Sequence, residues 1–241
     1  MEVGSLYREP ERQAEELSWG ALEFVDVFKI YRSGPVETVA LRGLDLRIEP
    51  REVVAVFGPS GSGKSTMLHL AAALDLPSAG DVRALGKVLS RLDEAELARY
   101  RARDVALVFQ SGNLWPGLTA AENVELQLRL GGTRSASEAE EAAEASLATF
   151  GLGARGSRLA AVLSGGEQQR VAIAAAAARA APLVLADEPT AELDEANEEL
   201  VLSALHRLRD VFGSTVVMVT HSQRVSDAAD RVVELRDGIA V

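Results

Sequence analysis

Leu44, Leu46 and Ile48 alternate with Asp45, Arg47 and Glu49. A period of two predicts a strand with one face in the core and the other in water. Shortly afterwards Val53, Val54, Ala55, Val56 and Phe57 run on without a polar break, which predicts a strand covered on both faces, as in a parallel sheet. Comparable runs stand at Val105 to Phe109, Leu183 to Ala186 and Thr215 to Thr220. Helices are predicted between them at Ser65 to Leu74, Glu138 to Phe150 and Glu195 to Leu208. The second of these follows Ser135 and Ser137, which suit an N-terminal cap, and stops at Gly151. Near the end of the sequence, Val232 to Leu235 and Ile239 to Val241 flank Asp237-Gly238, a pair that favours a tight hairpin. Strands and helices in alternation predict an α/β fold.

Composition narrows the class. With 241 residues, 47% of them hydrophobic, the chain buries a substantial core and is read as one lobed domain over residues 20–241. It contains no cysteine, so neither a disulfide framework nor a thiolate zinc site is available. Residues 1–19 are charged and lack the apolar stretch of a secretory signal; a disordered tail is expected there. The longest apolar region, Val171 to Ala186, is interrupted by Arg179 and Pro182 and falls short of a membrane span. A soluble, cytoplasmic protein is expected. The net charge of −11 works against binding to phosphate backbones, so nucleic acid is not expected as a partner.

The residues from Gly58 to Thr66 read Gly58-Pro59-Ser60-Gly61-Ser62-Gly63-Lys64-Ser65-Thr66, directly after a buried strand and before a helix. That is the setting of a P-loop, whose main-chain amides curl around phosphate at a helix N-terminus. Lys64 would reach the β- and γ-phosphates of ATP, and the Ser65 hydroxyl would ligand Mg²⁺. The strand Leu183 to Ala186 ends in Asp187 and Glu188. Beside a P-loop, Asp187 suits Mg²⁺ and Glu188 suits a general base; alone, the pair before Pro189 could merely cap a helix. Ser164-Gly165-Gly166 opens a helix and forms a second anion-binding nest. One P-loop has little use for a second nest in the same pocket, so this one is expected to close on the γ-phosphate of another subunit, the plainer reading being a capped helix.

In order and spacing, this P-loop, Ser164-Gly165-Gly166, Asp187-Glu188 and His221 resemble the ATP-binding-cassette ATPases, over about Leu22 to Val241. The resemblance implies a P-loop NTPase core of RecA-like type with an antiparallel β subdomain and an inserted α-helical subdomain at about 111–170. It also implies roles that the residues alone do not give. Gln110 matches the glutamine that touches Mg²⁺ and the attacking water, and His221 the histidine on the γ-phosphate. Asp194 matches the loop bridging the two sites of a dimer, and Tyr31 the aromatic that stacks on adenine. The partners implied are a second cassette and a separate transmembrane permease, with the chain peripheral on the inner face of the cell membrane.

Four positions depart from the family's pattern. Glu167 stands where many members have Gln, Glu192 where a small or neutral residue is usual, Arg51 where glycine is common, and Ala175 where arginine is frequent. The two glutamates add negative charge close to the expected nucleotide. About a hundred residues separate Lys64 from Ser164, room for a helical lobe but not for a long coiled coil. The segments from Leu68 to Gly80 and from Phe109 to Val124 resemble the macrolide-efflux, lipoprotein-release and cell-division group, the type VII or mechanotransmission systems. Leu114, Trp115 and Leu118 are expected to form an exposed apolar docking cluster.

Overall fold

The computed structural model describes residues 19–34, 36–131 and 135–241. The tail expected over residues 1–19 lies, apart from Trp19, outside the described residues. Among the described residues ten strands form two sheets. β1 (Leu22–Ser33), β2 (Val36–Ile48), β4 (Ala79–Ala84) and β5 (Lys87–Val88) make an antiparallel sheet in the order β2-β1-β4-β5. In β2 the expected alternation holds: Leu44, Leu46 and Ile48 are buried while Asp45 and Arg47 face water.

The second sheet holds β3 (Val53–Phe57), β6 (Val105–Val108), β7 (Leu183–Asp187), β8 (Thr215–Thr220), β9 (Arg231–Arg236) and β10 (Ile239–Ala240). Its order is β10-β9-β3-β8-β7-β6. All neighbours are parallel except the hairpin β9–β10. Both faces are covered. Val53, Ala55, Val184, Ala186, Val216 and Met218 point into one apolar cluster; Val54, Val56, Leu183, Leu185, Val217 and Val219 point into the other. Unbroken apolar runs are what a two-sided strand requires.

The antiparallel sheet shares the second cluster with α1 (Lys64–Ala71) and α2 (Glu94–Arg103). On the opposite face pack α3 (Ala120–Leu130), α4 (Ala136–Thr149), α5 (Gly165–Ala178) and α6 (Glu195–Phe212). The short α7 (Gln223–Asp227) follows β8. α5 is the central member: Val171 to Ala178 are all buried, and small alanines let α3, α4 and α6 approach it together.

Three of the helix ends that differ from expectation do so for clear local reasons. α1 stops at Ala71 rather than Leu74, because the chain turns into the left-handed region at Ala73, φ 53°. α4 starts at Ala136, where Ser135 and Glu138 form a reciprocal capping box. α6 continues to Phe212 and ends at Gly213, φ 70°. Arg51 adopts φ 63°, which explains why glycine suits that turn elsewhere; here the Arg51 amide donates to Thr215 Oγ1 at 2.9 Å.

Candidate nucleotide site

β3, β8, β7 and β6 are consecutive in the sheet, and each delivers candidate residues where it ends. Gly58 follows β3, His221 follows β8, Asp187 and Glu188 close β7, and Gln110 lies just beyond β6. The carboxyl edge of a parallel sheet is where such folds place ligands. The loops are tied across the strand ends: Gly58 N donates to Thr220 O at 3.3 Å and Glu188 N to Val219 O at 3.0 Å.

The segment Gly58-Pro59-Ser60-Gly61-Ser62-Gly63 turns back into α1. Gly63, φ 104°, is the N-cap, and a Cβ there would lie 2.6 Å from Ala40 O; no other residue fits. The first turn of α1 has no side-chain cap and no acidic residue, so its amides and partial positive charge stay available to an anion. Thr66 lies in that turn. Lys64 is buried, and its Nζ donates to Gly58 O at 2.7 Å and Pro59 O at 2.9 Å, using two of its three donors. The Ser62 hydroxyl is buried without a partner.

Ser65 lies close enough to Asp187 for its hydroxyl to favour the charged carboxylate. Burial, aided by the charge of Glu188, pushes the Asp187 carboxyl above its ordinary value, against the opposing influence of the Ser65 hydroxyl and the charges of His69 and Lys64. A hydroxyl and a carboxylate oxygen side by side, with phosphate oxygens expected next to them, make a donor set that fits Mg²⁺.

Glu188 carries a left-handed backbone, φ 46°, a conformation that costs a non-glycine residue about 1–2 kcal/mol. Its Oε2 accepts from Thr220 Oγ1 at 3.1 Å, and its Oε1 lies 2.7 Å from His221 Nδ1. The carboxylate is aimed from both sides, while the His221 ring is exposed.

Ser164 caps α5, and its hydroxyl accepts from Glu167 N at 3.2 Å while Glu167 Oε2 accepts from Ser164 N at 2.9 Å. The Ser164 amide, with Arg155 Nε 2.9 Å from Glu167 Oε1, holds the Glu167 carboxyl below its ordinary value. The charge expected to face the nucleotide is thereby committed to a cap and an ion pair. Gly165 is exposed and Gly166 buried. Among the described residues no hydrogen bond joins Ser164, Gly165 or Gly166 to Lys64, Ser65, Asp187 or Glu188.

Asp194 caps α6, accepting from Asn197 N at 2.8 Å, and both its oxygens accept from Asn197 Nδ2. Gly166 packs against that same asparagine. The Gln110 side chain donates to Glu192 Oε1 at 3.2 Å. Tyr31 stands apart on β1: it is 39% exposed, donates to Asp75 Oδ2 at 3.1 Å, and has Lys29 Nζ 4.9 Å from its ring centre. Of the expected apolar cluster, Trp115 is exposed, but Leu114 and Leu118 are half-buried. Leu159 and Val162 are also exposed, and they flank Ala160 and Ala161, whose amides donate to Leu118 O and Pro116 O.

Three polar residues went unassigned by sequence reasoning: Asn113, Gln169 and Asn197. Gln169 is the last but one residue of the Leu163 to Arg170 motif, and only the fold places it beneath Gln110.

The family model described as ABC transporter matches residues 41–191. The chain is 45% identical over 225 residues to the lipoprotein-releasing system ATP-binding protein LolD of Anaeromyxobacter dehalogenans, covering 93% of this chain and 94% of the relative. It is 42% identical over 217 residues to the macrolide export ATP-binding/permease protein MacB of Azoarcus, covering 90% of this chain and 33% of that longer protein. Among solved structures, a dimeric ATP-binding cassette in a post-hydrolysis state bound to ADP and Pi superposes with a TM-score of 0.83 at 40% identity, covering 91% of this chain and 96% of that one.

Proposed function

This chain is an ATP-binding cassette of the ABC transporter family, and from that premise we propose that it closes head to tail with a second copy of itself over two ATP molecules, hydrolyses them, and so drives a separate transmembrane permease. One observation carries the reading. Lys64, Ser65, Asp187, Glu188 and His221 share one sheet edge, while the Ser164-Gly165-Gly166 nest stands on α5 without a bond to them. A nest without a phosphate in its own subunit is explained by a phosphate in another's. The ADP- and Pi-bound dimer of a 40% identical cassette supports the same arrangement.

In this reading the loop from Gly58 to Ser65, together with Thr66, wraps the phosphates and offers them its free main-chain amides, Lys64 holds the γ-phosphate, and Tyr31 stacks on adenine. Ser65, Asp187 and Gln110 would hold Mg²⁺, which when bound neutralises charge on the phosphate oxygens. Glu188 takes the proton of the attacking water while His221 fixes the Glu188 carboxylate and reaches the γ-phosphate. The Ser164 hydroxyl and the Gly165 and Gly166 amides of the second copy bind the far side of the phosphate, and Asp194 links the two sites. The products are ADP and phosphate.

The permease is read as a separate polypeptide with the cassette on its cytoplasmic face. Among the described residues no helix is long and apolar enough to cross a membrane. Likeness to the lipoprotein-releasing and macrolide-export relatives supports a type VII, mechanotransmission partner. Purifying the tagged chain from solubilised membranes is expected to bring down an integral membrane protein whose presence raises ATP turnover. Recovery with soluble partners alone would overturn the permease reading.

A further inference from the structure

Asn113 and Gln169 meet beneath the loop that carries Gln110. Gln169 lies on the first turns of α5, five positions after its cap Ser164, and is 4% exposed. Its Nε2 donates to Phe109 O at 2.8 Å and to Gln110 O at 2.7 Å. Its Oε1 accepts from Asn113 Nδ2 at 2.9 Å. Asn113 in turn grips Phe109 from both sides: Oδ1 accepts from Phe109 N at 2.7 Å, and Nδ2 donates to Phe109 O at 2.7 Å.

β6 ends at Val108, so the main chain of Phe109 and Gln110 has left the sheet ladder. Two side-chain amides take over its bonding. A buried amide with both N–H groups engaged costs the full desolvation of those groups if the bonds are lost. The path of the chain at Gln110 is therefore set by α5 rather than by the sheet. Beyond this clamp the Gln110 side chain is exposed, with Glu192 as its partner.

We propose that Gln169, acting with Asn113, is a positioning residue for ATP turnover. It ties the main chain of Gln110 to the same helix whose first residues are Ser164 to Gly166, so that Gln110 enters the site in step with α5 when the two cassettes close. The proposal rests on the reading of Gln110 as a contact of Mg²⁺ and the attacking water.

The test uses the full chain. Gln169→Met keeps the volume and deletes the three bonds. The clamp predicts that MgATP binding, followed with a fluorescent ATP analogue, is unchanged while kcat falls by about 10- to 100-fold, the scale of a misplaced catalytic group. Gln110→Ala should fall similarly, and the double variant no further, because one residue acts through the other. A Gln169→Met variant with normal kcat, or losses that multiply in the double variant, would overturn the clamp. Gln110→Ala with normal turnover would instead remove the role of Gln110 itself. Should Gln169→Met fail to fold, Asn113→Ala at its half-buried position enters the same cycle with the same expected non-additivity, and multiplying losses there overturn the proposal equally.

Discussion

His221 Nδ1 lies 2.7 Å from Glu188 Oε1, on a glutamate whose backbone is held at φ 46°. The strain and the two side-chain contacts fix a carboxylate that packing alone would leave free, which is what a general base needs. Glu188→Gln keeps the shape and the amide–carbonyl tie to Val219 but cannot take a proton. Turnover is expected to fall by about 100- to 10,000-fold with ATP affinity retained, and size-exclusion chromatography should show an ATP-dependent dimer. Near-normal turnover would remove Glu188 from the role of base.

Gly166 must be glycine for a reason inside its own subunit, apart from the phosphate it is proposed to meet. A Cβ there would lie 2.5 Å from Asn197 Oδ1 and 2.9 Å from Asn197 Cβ. Gly166→Ala is therefore expected to destabilise the fold by about 1–3 kcal/mol through overpacking, measured by urea denaturation. Asn197→Ala removes the Oδ1 and Cγ contacts but keeps the Cβ 2.9 Å away, so the double variant should recover only part of that loss. Purely additive destabilisation would mean that the two residues do not meet.

The strands of the parallel sheet were legible because their burial is two-sided: Val53 to Phe57 and Thr215 to Thr220 have no polar residue to spare for solvent. The P-loop was legible for a related reason, since Gly63 and Lys64 answer to local geometry. Contacts between distant segments were not. Nothing near Gln169 in the chain indicates that it bonds to Gln110, 59 positions away, and nothing near Glu167 says that its charge is met by Arg155. Leu114 and Leu118 read as surface together with Trp115, in the lobe after Gln110; in the fold both are half-buried, and Leu114 packs against the cluster that holds α3 to α6.

Asp187 links chemistry to stability. Its folded-state carboxyl binds a proton more tightly than the unfolded chain does, chiefly through burial. Its contribution to folding is thus fully present below the ordinary carboxylate range and lost as pH rises through the raised value. Asp187→Asn removes that loss. The nucleotide-free variant is expected to be more stable at neutral pH, with a flatter stability profile across the acid range, while Mg²⁺-dependent turnover disappears. A variant less stable at pH 7 than the parent would contradict the burial argument.

Trp115 is 65% exposed, yet its main chain is fixed, its N–H donating to Asn123 Oδ1 at 2.7 Å. A rigid backbone carrying a solvent-facing indole, with Leu159 and Val162 also exposed, suits a docking surface. Trp115→Ala should leave the fold and basal turnover intact but weaken recovery of the membrane partner and its stimulation of ATP hydrolysis. Unchanged coupling would end the docking reading.

Glu192 occupies the loop between Glu188 and Asp194 with φ 69° and accepts from Gln110 Nε2 at 3.2 Å. That bond engages the amide that the nucleotide site is expected to use, and in the proposed dimer a second copy would bring another Glu192 toward the same interface. Glu192→Gly removes the carboxylate and relieves the left-handed strain, whereas Glu192→Ala removes the carboxylate alone. A hydrogen bond to a charged, exposed acceptor contributes about 1 kcal/mol, so both variants should raise basal turnover by up to about five-fold. Both should also make the ATP-bound dimer less dependent on added salt, because screening no longer has a repulsion to weaken. If Gly and Ala differ in turnover while Ala matches the parent, backbone strain rather than the carboxylate restrains Gln110, and Glu192 is a conformational residue of that loop.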